Sequence, residues 1–218
     1  MSIKQLKVVA FDWDNTLAMT RDALVFSINK VLPEYGLGDW EIVKNLRDRS
    51  LSFRDNFPRI FGNNADEAYE KYKVIYKSNY KKYVKKAEKT DEVLRFFSDN
   101  GIKCIIVSNK DRELLEYELP FLFEKKVFSK IVCGHEAIKD KPFPEQLIYA
   151  VNNFVDVISE DNVWMIGDSP MDSECALSAG AKAIRIGCPI WGIDKEKNQE
   201  NITFFDNFNL FYNALMEK

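Results

Sequence analysis

The sequence predicts an α/β fold: a parallel sheet flanked by helices, with a second, helical unit inserted near the N-terminus. Three observations carry this. Five short apolar runs, at 8–11, 104–107, 131–133, 163–166 and 183–186, each end at a polar residue or glycine. Their apolarity is continuous rather than alternating, apart from Arg185 in the last, as expected of strands buried on both faces of a parallel sheet. About ninety residues lie between the first run and the second, far more than one crossover connection needs.

In chain order, strand one is Val8 to Phe11, stopped by Asp12. Helical periodicity follows over Arg21 to Leu32, Trp40 to Leu46 and Ala65 to Lys86, punctuated by Pro33, Gly36, Gly38, Pro58 and Gly62. A helix at Asp91 to Asp99 leads to strand two at Cys104 to Val107, and a helix at Asp111 to Leu119 leads to strand three at Ile131 to Cys133. The remaining helices are expected at Pro144 to Phe154, Met171 to Ser178 and Phe208 to Met216, and the last two strands at Val163 to Ile166 and Ala183 to Ile186. Gly101 and Gly180 stand where glycine ends a helix in a left-handed conformation, and Ser169-Pro170 reads as an N-cap followed by proline at the first helical position. The expected division is a discontinuous core of residues 1–19 and 88–218 and a helical unit of residues 20–87.

Composition narrows the function. The 218 residues are 46% hydrophobic and 30% charged, with a formal net charge of −3, which describes a soluble globular protein rather than a disordered one. Cys104, Cys133, Cys175 and Cys188 form no CxxC pair, so neither a zinc site nor a thioredoxin-like motif has its spacing, and reduced thiols in a cytoplasmic setting are expected. The run before Asp12 is too short for a signal-peptide core, and no stretch approaches the ~18 apolar residues of a membrane span. With His135 as its single histidine, the chain is poorly equipped for a mechanism built on histidine clusters; a surface or capping role is the expectation there.

One segment departs from the average. Between Lys71 and Lys89 eight lysines face one acid, Glu88, so the segment carries +7 and the rest of the chain −10. Tyr69, Tyr72, Tyr76, Tyr80 and Tyr83 recur at steps of three and four, placing the tyrosines on one face of a helix and most lysines elsewhere. An aromatic packing face with a solvated lysine face is one reading; an electropositive surface for anionic substrates or nucleic acid is the other.

In a parallel α/β sheet, ligands bind beyond the carboxyl ends of the strands. Strand one is followed by Asp12-Trp13-Asp14-Asn15-Thr16, strand two by Ser108-Asn109-Lys110, and strand four by Gly167-Asp168-Ser169-Pro170-Met171-Asp172. Carboxylates gathered at adjacent strand ends repel one another unless a cation neutralises them, and an all-oxygen cluster suits Mg²⁺. A hydroxyl and lysines at the same edge suit a phosphoryl group.

These residues, with Lys141 in Lys-Pro-Phe-Pro, resemble the four ordered motifs of the haloacid dehalogenase (HAD) superfamily. The resemblance spans the core from end to end and implies a HAD-like Rossmannoid parallel sheet with an inserted helical C1 cap. It implies that Asp12 is a nucleophile forming an aspartyl-phosphate and that Asp14 is the general acid and then base. Mg²⁺ would be held by Asp12, the Asp14 carbonyl and Asp168, with Asp172 a ligand through water or an orienting neighbour. Ser108 and the Asn109 N–H would bond phosphoryl oxygens, with Thr16 counted in the phosphate-binding motif, and Lys141 would offset developing charge. Lys110 suits either the site or a helix start. The helical cap resembles the phosphoglycolate phosphatase and β-phosphoglucomutase branch, whose specificity loop would fall within residues 47–54, with hinges at 19–22 and 86–90. There Arg49 and Arg54 could hold a substrate carboxylate or second phosphate, or pack as surface arginines on Phe53 and Phe57.

The expected activity is therefore a Mg²⁺-dependent phosphatase acting on a small phosphorylated metabolite, with no membrane partner, as a monomer or homodimer. A sugar phosphomutase on the same core and a nucleic-acid-related role for the lysine segment stand as alternatives.

Overall fold

The structure, a computed structural model, describes residues 1–187 and 200–217. Its chain order is β1 (Val8–Phe11), β2 (Ala18–Met19), α1 (Arg21–Val31), α2 (Trp40–Val43), α3 (Phe57–Phe61), α4 (Ala65–Asn79) and β3 (Lys85–Lys86). It continues with α5 (Thr90–Asp99), β4 (Lys103–Val107), α6 (Arg112–Leu122), β5 (Lys130–Val132), α7 (Glu145–Val151), β6 (Val163–Gly167), α8 (Pro170–Ala179), β7 (Lys182–Ile186), β8 (Ile202–Phe205) and α9 (Phe208–Met216). Six strands form a parallel sheet in the order β5-β4-β1-β6-β7-β8.

Both faces of this sheet are covered, which is why its strands read as continuous apolar runs. Val8, Ala10, Ile105, Val107 and Met165 point into one cluster with Leu147, Ala150 and Cys175 of α7 and α8. Val9, Phe11, Ile106 and Trp164 point into the other, with Phe97, Leu115 and Phe211 of α5, α6 and α9. The alternation of faces along each strand is the ordinary period of two. Gly180 ends α8 at φ 79°, and Ser169 with Asp172 forms a capping box ahead of Pro170, as the sequence suggests.

Several elements differ from the sequence expectation, which also lacked β2, β3 and α3. β8 is missing from it because this edge strand is only partly buried and lies among Asn and Asp residues. The periodicity over 65–86 does not make one helix: α4 ends at Asn79, whose side chain turns back to the Ile75 carbonyl, and the N–H groups of Tyr83 and Val84 both fold onto the Tyr80 carbonyl. Lys85 and Lys86 then pair antiparallel with Met19 and Ala18. α7 stops at Val151 because the N–H groups of Phe154 and Val155 both turn back to its carbonyl.

The helices between β2 and β3 pack around an aromatic cluster. Phe57 is 2% exposed, with the rings of Phe53, Phe61, Tyr69 and Tyr72 centred 4.9–5.7 Å from its own. The tyrosine stripe of α4 is thus an internal packing face, with Tyr72, Tyr76 and Tyr80 buried. The lysines of the same segment are largely compensated: Lys71 pairs with Glu34 and Glu67, Lys73 with Glu70 and Glu113, Lys77 with Glu113, Lys86 with Asp91 and Lys89 with Glu92. Cys104, Cys133 and Cys175 are buried free thiols whose pKa values burial pushes up to about 12; Cys188 lies outside the described residues. Among the described residues no helix is long and apolar enough to cross a membrane.

Removing the ring at the centre of the aromatic cluster, Phe57→Ala, is expected to cost about 3–5 kcal/mol, read as a lower denaturant midpoint in equilibrium unfolding.

Candidate active site

Register decides which residues meet. Phe11 lies opposite Ile106 of β4 on one side and Ile166 of β6 on the other, so the residues just past the three central strands come to one edge. They are Asp12, Ser108 and Asp168. Chain order runs outward in opposite directions from β1, and such a switch point opens a crevice at the strand ends. Asn15 sits at φ 60° in the tight turn after β1, a conformation asparagine tolerates, and so brings Asp14 round to the same edge.

Asp12, Asp168 and Asp172 place carboxylate oxygens within 4.8 Å of one another. All three are buried, and Lys141 answers them from the loop before α7. Its ammonium donates to Asp12 Oδ1 at 2.7 Å, to Asp172 Oδ1 at 2.6 Å and to the Val107 carbonyl at 2.8 Å, which uses all three of its hydrogens. The Asn109 side-chain amide both donates to the Lys141 carbonyl and accepts from its N–H, so the loop carrying Lys141 is held to the loop after β4. Asp172 Oδ2 accepts from Ser169 N–H and Oγ, so both oxygens of Asp172 are engaged within the protein. That arrangement favours the orienting role for Asp172 over direct coordination.

The Lys141 ammonium, with the buried Arg185 guanidinium acting on Asp168, does not balance three carboxylates. Burial first, then Asp172 and Asp14, outweigh Lys141 and push the Asp12 carboxyl from 3.8 up to about 7. Burial, Asp12 and Asp172 likewise push Asp168 well above the usual range. Burial on its own would lower the Lys141 ammonium, but the two aspartates raise it, so it stays charged. The site is short of positive charge, and its donors are all oxygens, which fits a hard divalent cation held by Asp12 and Asp168.

A second charged group lies beside the first. Asp14 Oδ1 accepts from Thr20 Oγ1 at 2.5 Å and from Lys110 Nζ at 2.8 Å. Lys110 precedes α6, whose N-cap is Asp111, and its side chain points inward, so the helix-start reading does not describe it. Glu118 and Tyr76, two further residues around Lys110, were absent from the sequence expectation as site groups. The available signal was an acid at Glu118 within the apolar periodicity of α6, in step with Leu114, Leu115 and Leu122.

Asp12, Asp14, Ser108, Lys110, Lys141 and Asp168 all line one cavity of about 130 Å³, closed on the far side by residues of the helical insert. Two expectations need correction. Thr16 does not line it: the residue is 1% exposed and donates to Asp12 Oδ2 at 3.4 Å, so it orients Asp12 from behind. Arg49 does not reach it either. Asp48 accepts from the N–H and hydroxyl of Ser50 and from the Leu51 N–H through its carbonyl, a turn that leaves Arg49 exposed at its tip. The insert's arginines on the cavity are Arg47 and Arg54. Arg47 lies over the rings of Trp40 and Phe53, at 5.4 and 5.6 Å, and burial together with Arg49 lowers its pKa to about 10. Arg54 bonds Asp55 and crosses to Asp140 of the core at 3.2 Å.

Residues 9–186 match the family model of the haloacid dehalogenase-like hydrolases. The chain is 26% identical over 190 residues to the pyrophosphatase PpaX of Halalkalibacterium halodurans, covering 87% of each. It is 24% identical over 209 residues to the phosphoglycolate phosphatase of Aquifex aeolicus, covering 89% of each. Among solved structures it superposes on an inferred beta-phosphoglucomutase from Thermotoga maritima with a TM-score of 0.76 at 20% identity, covering 97% of this chain and 99% of that one.

Without a bound cation, the folded chain keeps a proton on Asp12 up to about pH 7, whereas the unfolded carboxyl releases it near 3.8. The folded state then binds more protons between those values, so this carboxyl should make stability fall as pH rises from about 4 to 7. Denaturant unfolding with chelator, comparing the wild type with Asp12→Asn, isolates that contribution; a pH slope equal in the two would contradict it. A methyl group on Gly167 would lie 2.2 Å from the Asp172 carboxyl, which its bonds to Lys141 and Ser169 hold in place. Gly167→Ala is therefore expected to lower stability by about 1–3 kcal/mol, measured by thermal unfolding.

Proposed function

The chain belongs to the haloacid dehalogenase-like hydrolases, and we propose that it is a Mg²⁺-dependent phosphatase that hydrolyses a small phosphorylated metabolite through an aspartyl-phosphate on Asp12. The observation that carries this is the meeting of Asp12, Asp14, Ser108, Lys141 and Asp168 on one cavity.

In the first half-reaction an oxygen of the Asp12 carboxylate attacks phosphorus, the bond from phosphorus to the leaving oxygen breaks, and that oxygen takes a proton from Asp14. In the second, Asp14 takes a proton from a water whose oxygen attacks the same phosphorus. The bond from phosphorus to Asp12 breaks, and inorganic phosphate is released with both aspartates restored for the next cycle. Ser108 and the Asn109 N–H bind phosphoryl oxygens, and Lys141, fixed by three bonds, offsets the charge that develops on them. Asp12, the Asp14 carbonyl and Asp168 would hold Mg²⁺, with Asp172 orienting Lys141 beside them. When bound, the ion supplies the positive charge that lets two carboxylates and a phosphoryl group share this space.

The cavity supports a compact, doubly anionic substrate. About 130 Å³ is well below the ~300–1,000 Å³ of sites for drug-sized ligands. Arg47 and Arg54 line it along with the phosphate-binding edge, and they suit a second carboxylate or phosphate on the leaving group. Phosphoglycolate and pyrophosphate have that form, and relatives carry names for both activities. The paired lysines of α4 count against a nucleic-acid role.

A phosphate-release screen over phosphoglycolate, pyrophosphate, sugar phosphates and nucleoside monophosphates is expected to show turnover of the compact dianions with Mg²⁺ and none with chelator. Asp12→Asn should abolish that turnover, and full activity in this variant would remove the covalent step. Asp14→Asn should slow it by ~10²–10⁴-fold while leaving Mg²⁺ binding intact, since only its carbonyl is a ligand.

A further inference from the structure

Glu118 is fully buried on α6, and its two oxygens serve two parts of the catalytic edge. Oε2 accepts from Trp13 Nε1 at 2.5 Å. Oε1 lies 2.9 Å from Lys110 Nζ, the same ammonium that donates to Asp14 Oδ1 at 2.8 Å. Trp13 stands between Asp12 and Asp14 in the chain, and its side chain is fully buried, so anchoring the indole fixes the backbone that carries both aspartates. Lys110 then fixes the Asp14 carboxylate itself. From the insert, Tyr76 places its hydroxyl 3.4 Å and its ring centroid 4.9 Å from the Lys110 ammonium, so a residue of the cap covers this group.

A buried carboxylate kept only for packing would be disfavoured, since an apolar residue fills such space at no desolvation cost. The neighbours of Glu118 on the same helical face, Leu114, Leu115 and Leu122, show what that face otherwise prefers. Lys110, in turn, has two carboxylate partners among the described residues, and they compete for it. With Glu118 present, the ammonium is shared and Asp14 keeps a carboxylate oxygen, Oδ2, for the leaving group. With Glu118 neutral, Asp14 is the carboxylate that remains to Lys110, and the ammonium would be drawn onto it.

We propose that Glu118 is a positioning residue for the reaction assigned above, on which this inference rests: through Trp13 and Lys110 it sets the placement of Asp14 opposite Asp12, and Tyr76 completes that arrangement when the cap is seated. Glu118 touches neither substrate nor phosphorus. Its effect passes through Lys110 and Trp13, so it belongs in the chemical step rather than in substrate affinity.

The test uses Glu118→Gln in the full chain, with Mg²⁺ and phosphoglycolate, or pyrophosphate if the wild type turns that over faster. The expected result is a kcat lowered tenfold or more with KM changed less than threefold. In a Lys110→Met background, the same substitution should lower kcat by less than twofold, because glutamine keeps an oxygen to accept from Trp13 and the ammonium on which the lost charge acted is gone. A kcat within twofold of wild type overturns the proposal, as does a loss that persists undiminished without Lys110. Should Glu118→Gln fail to fold, Trp13→Phe removes the indole donor while keeping a ring; it should lower kcat threefold or more with KM held, and an unchanged kcat there is equally fatal. A wild type that releases phosphate from nothing in the screen removes the phosphatase assignment and this inference together, whereas an active wild type with an indifferent Glu118→Gln removes only the latter.

Discussion

Everything at the acidic edge follows from crowding carboxylates at the end of a sheet whose central strands are buried on both faces. Asp12 and Asp168 extend from strands buried on both sides, and Asp172 sits in the first turn of a helix packed on the same sheet. Their mutual repulsion and desolvation are answered by Lys141, which has no hydrogen left to give, and at Asp168 also by the buried Arg185 guanidinium. On the function proposed above, the deficit that remains would favour binding of a cation and, with it, of phosphate. The capping box, the close approach of Asp172 to Gly167 and the two-way amide contact of Asn109 are the local means by which that crowding is held in register.

A second pairing balances the first at lower density. Lys110 stands between Asp14 and Glu118 much as Lys141 stands between Asp12 and Asp172. The two lysines thus hold two separate pairs of carboxylates at the same strand ends. The insert reaches the Lys110 pair through Tyr76, and it lines the same cavity with Arg47 and Arg54. Chemistry common to many phosphate esters can thus reside in the sheet, while recognition of one ester resides in the helices above it.

The sheet was legible in the sequence because burial on two faces leaves an unambiguous run of apolar residues, and the polar residues that meet at its edge were legible because they sit where those runs stop. Legibility fails where geometry is made by contacts distant in sequence. β8 is half covered, so its residues give no continuous signal. Thr16 and Arg49 belong to the expected segments, yet a turn of backbone aims one behind Asp12 and the other into solvent. Glu118 is separated from Trp13 by 105 positions, and nothing local to either announces the bond between them. The helical periodicity of the tyrosines was real, but it ran on past the point where Asn79 ends the helix.

The two-residue strands β2 and β3 are the least conspicuous elements of the fold, and they fix how the molecule can change. Residue 18 pairs with residue 86 and residue 19 with residue 85, so the chain leaves the sheet and returns to it at a single spot. A segment whose ends are already neighbours can be lengthened, shortened or exchanged without pulling on what it is inserted into. The helices between those strands are accordingly a replaceable part. On the phosphatase reading proposed above, a stretch grafted from a relative at that doorway would change which ester is admitted and leave the acidic edge beneath as it is.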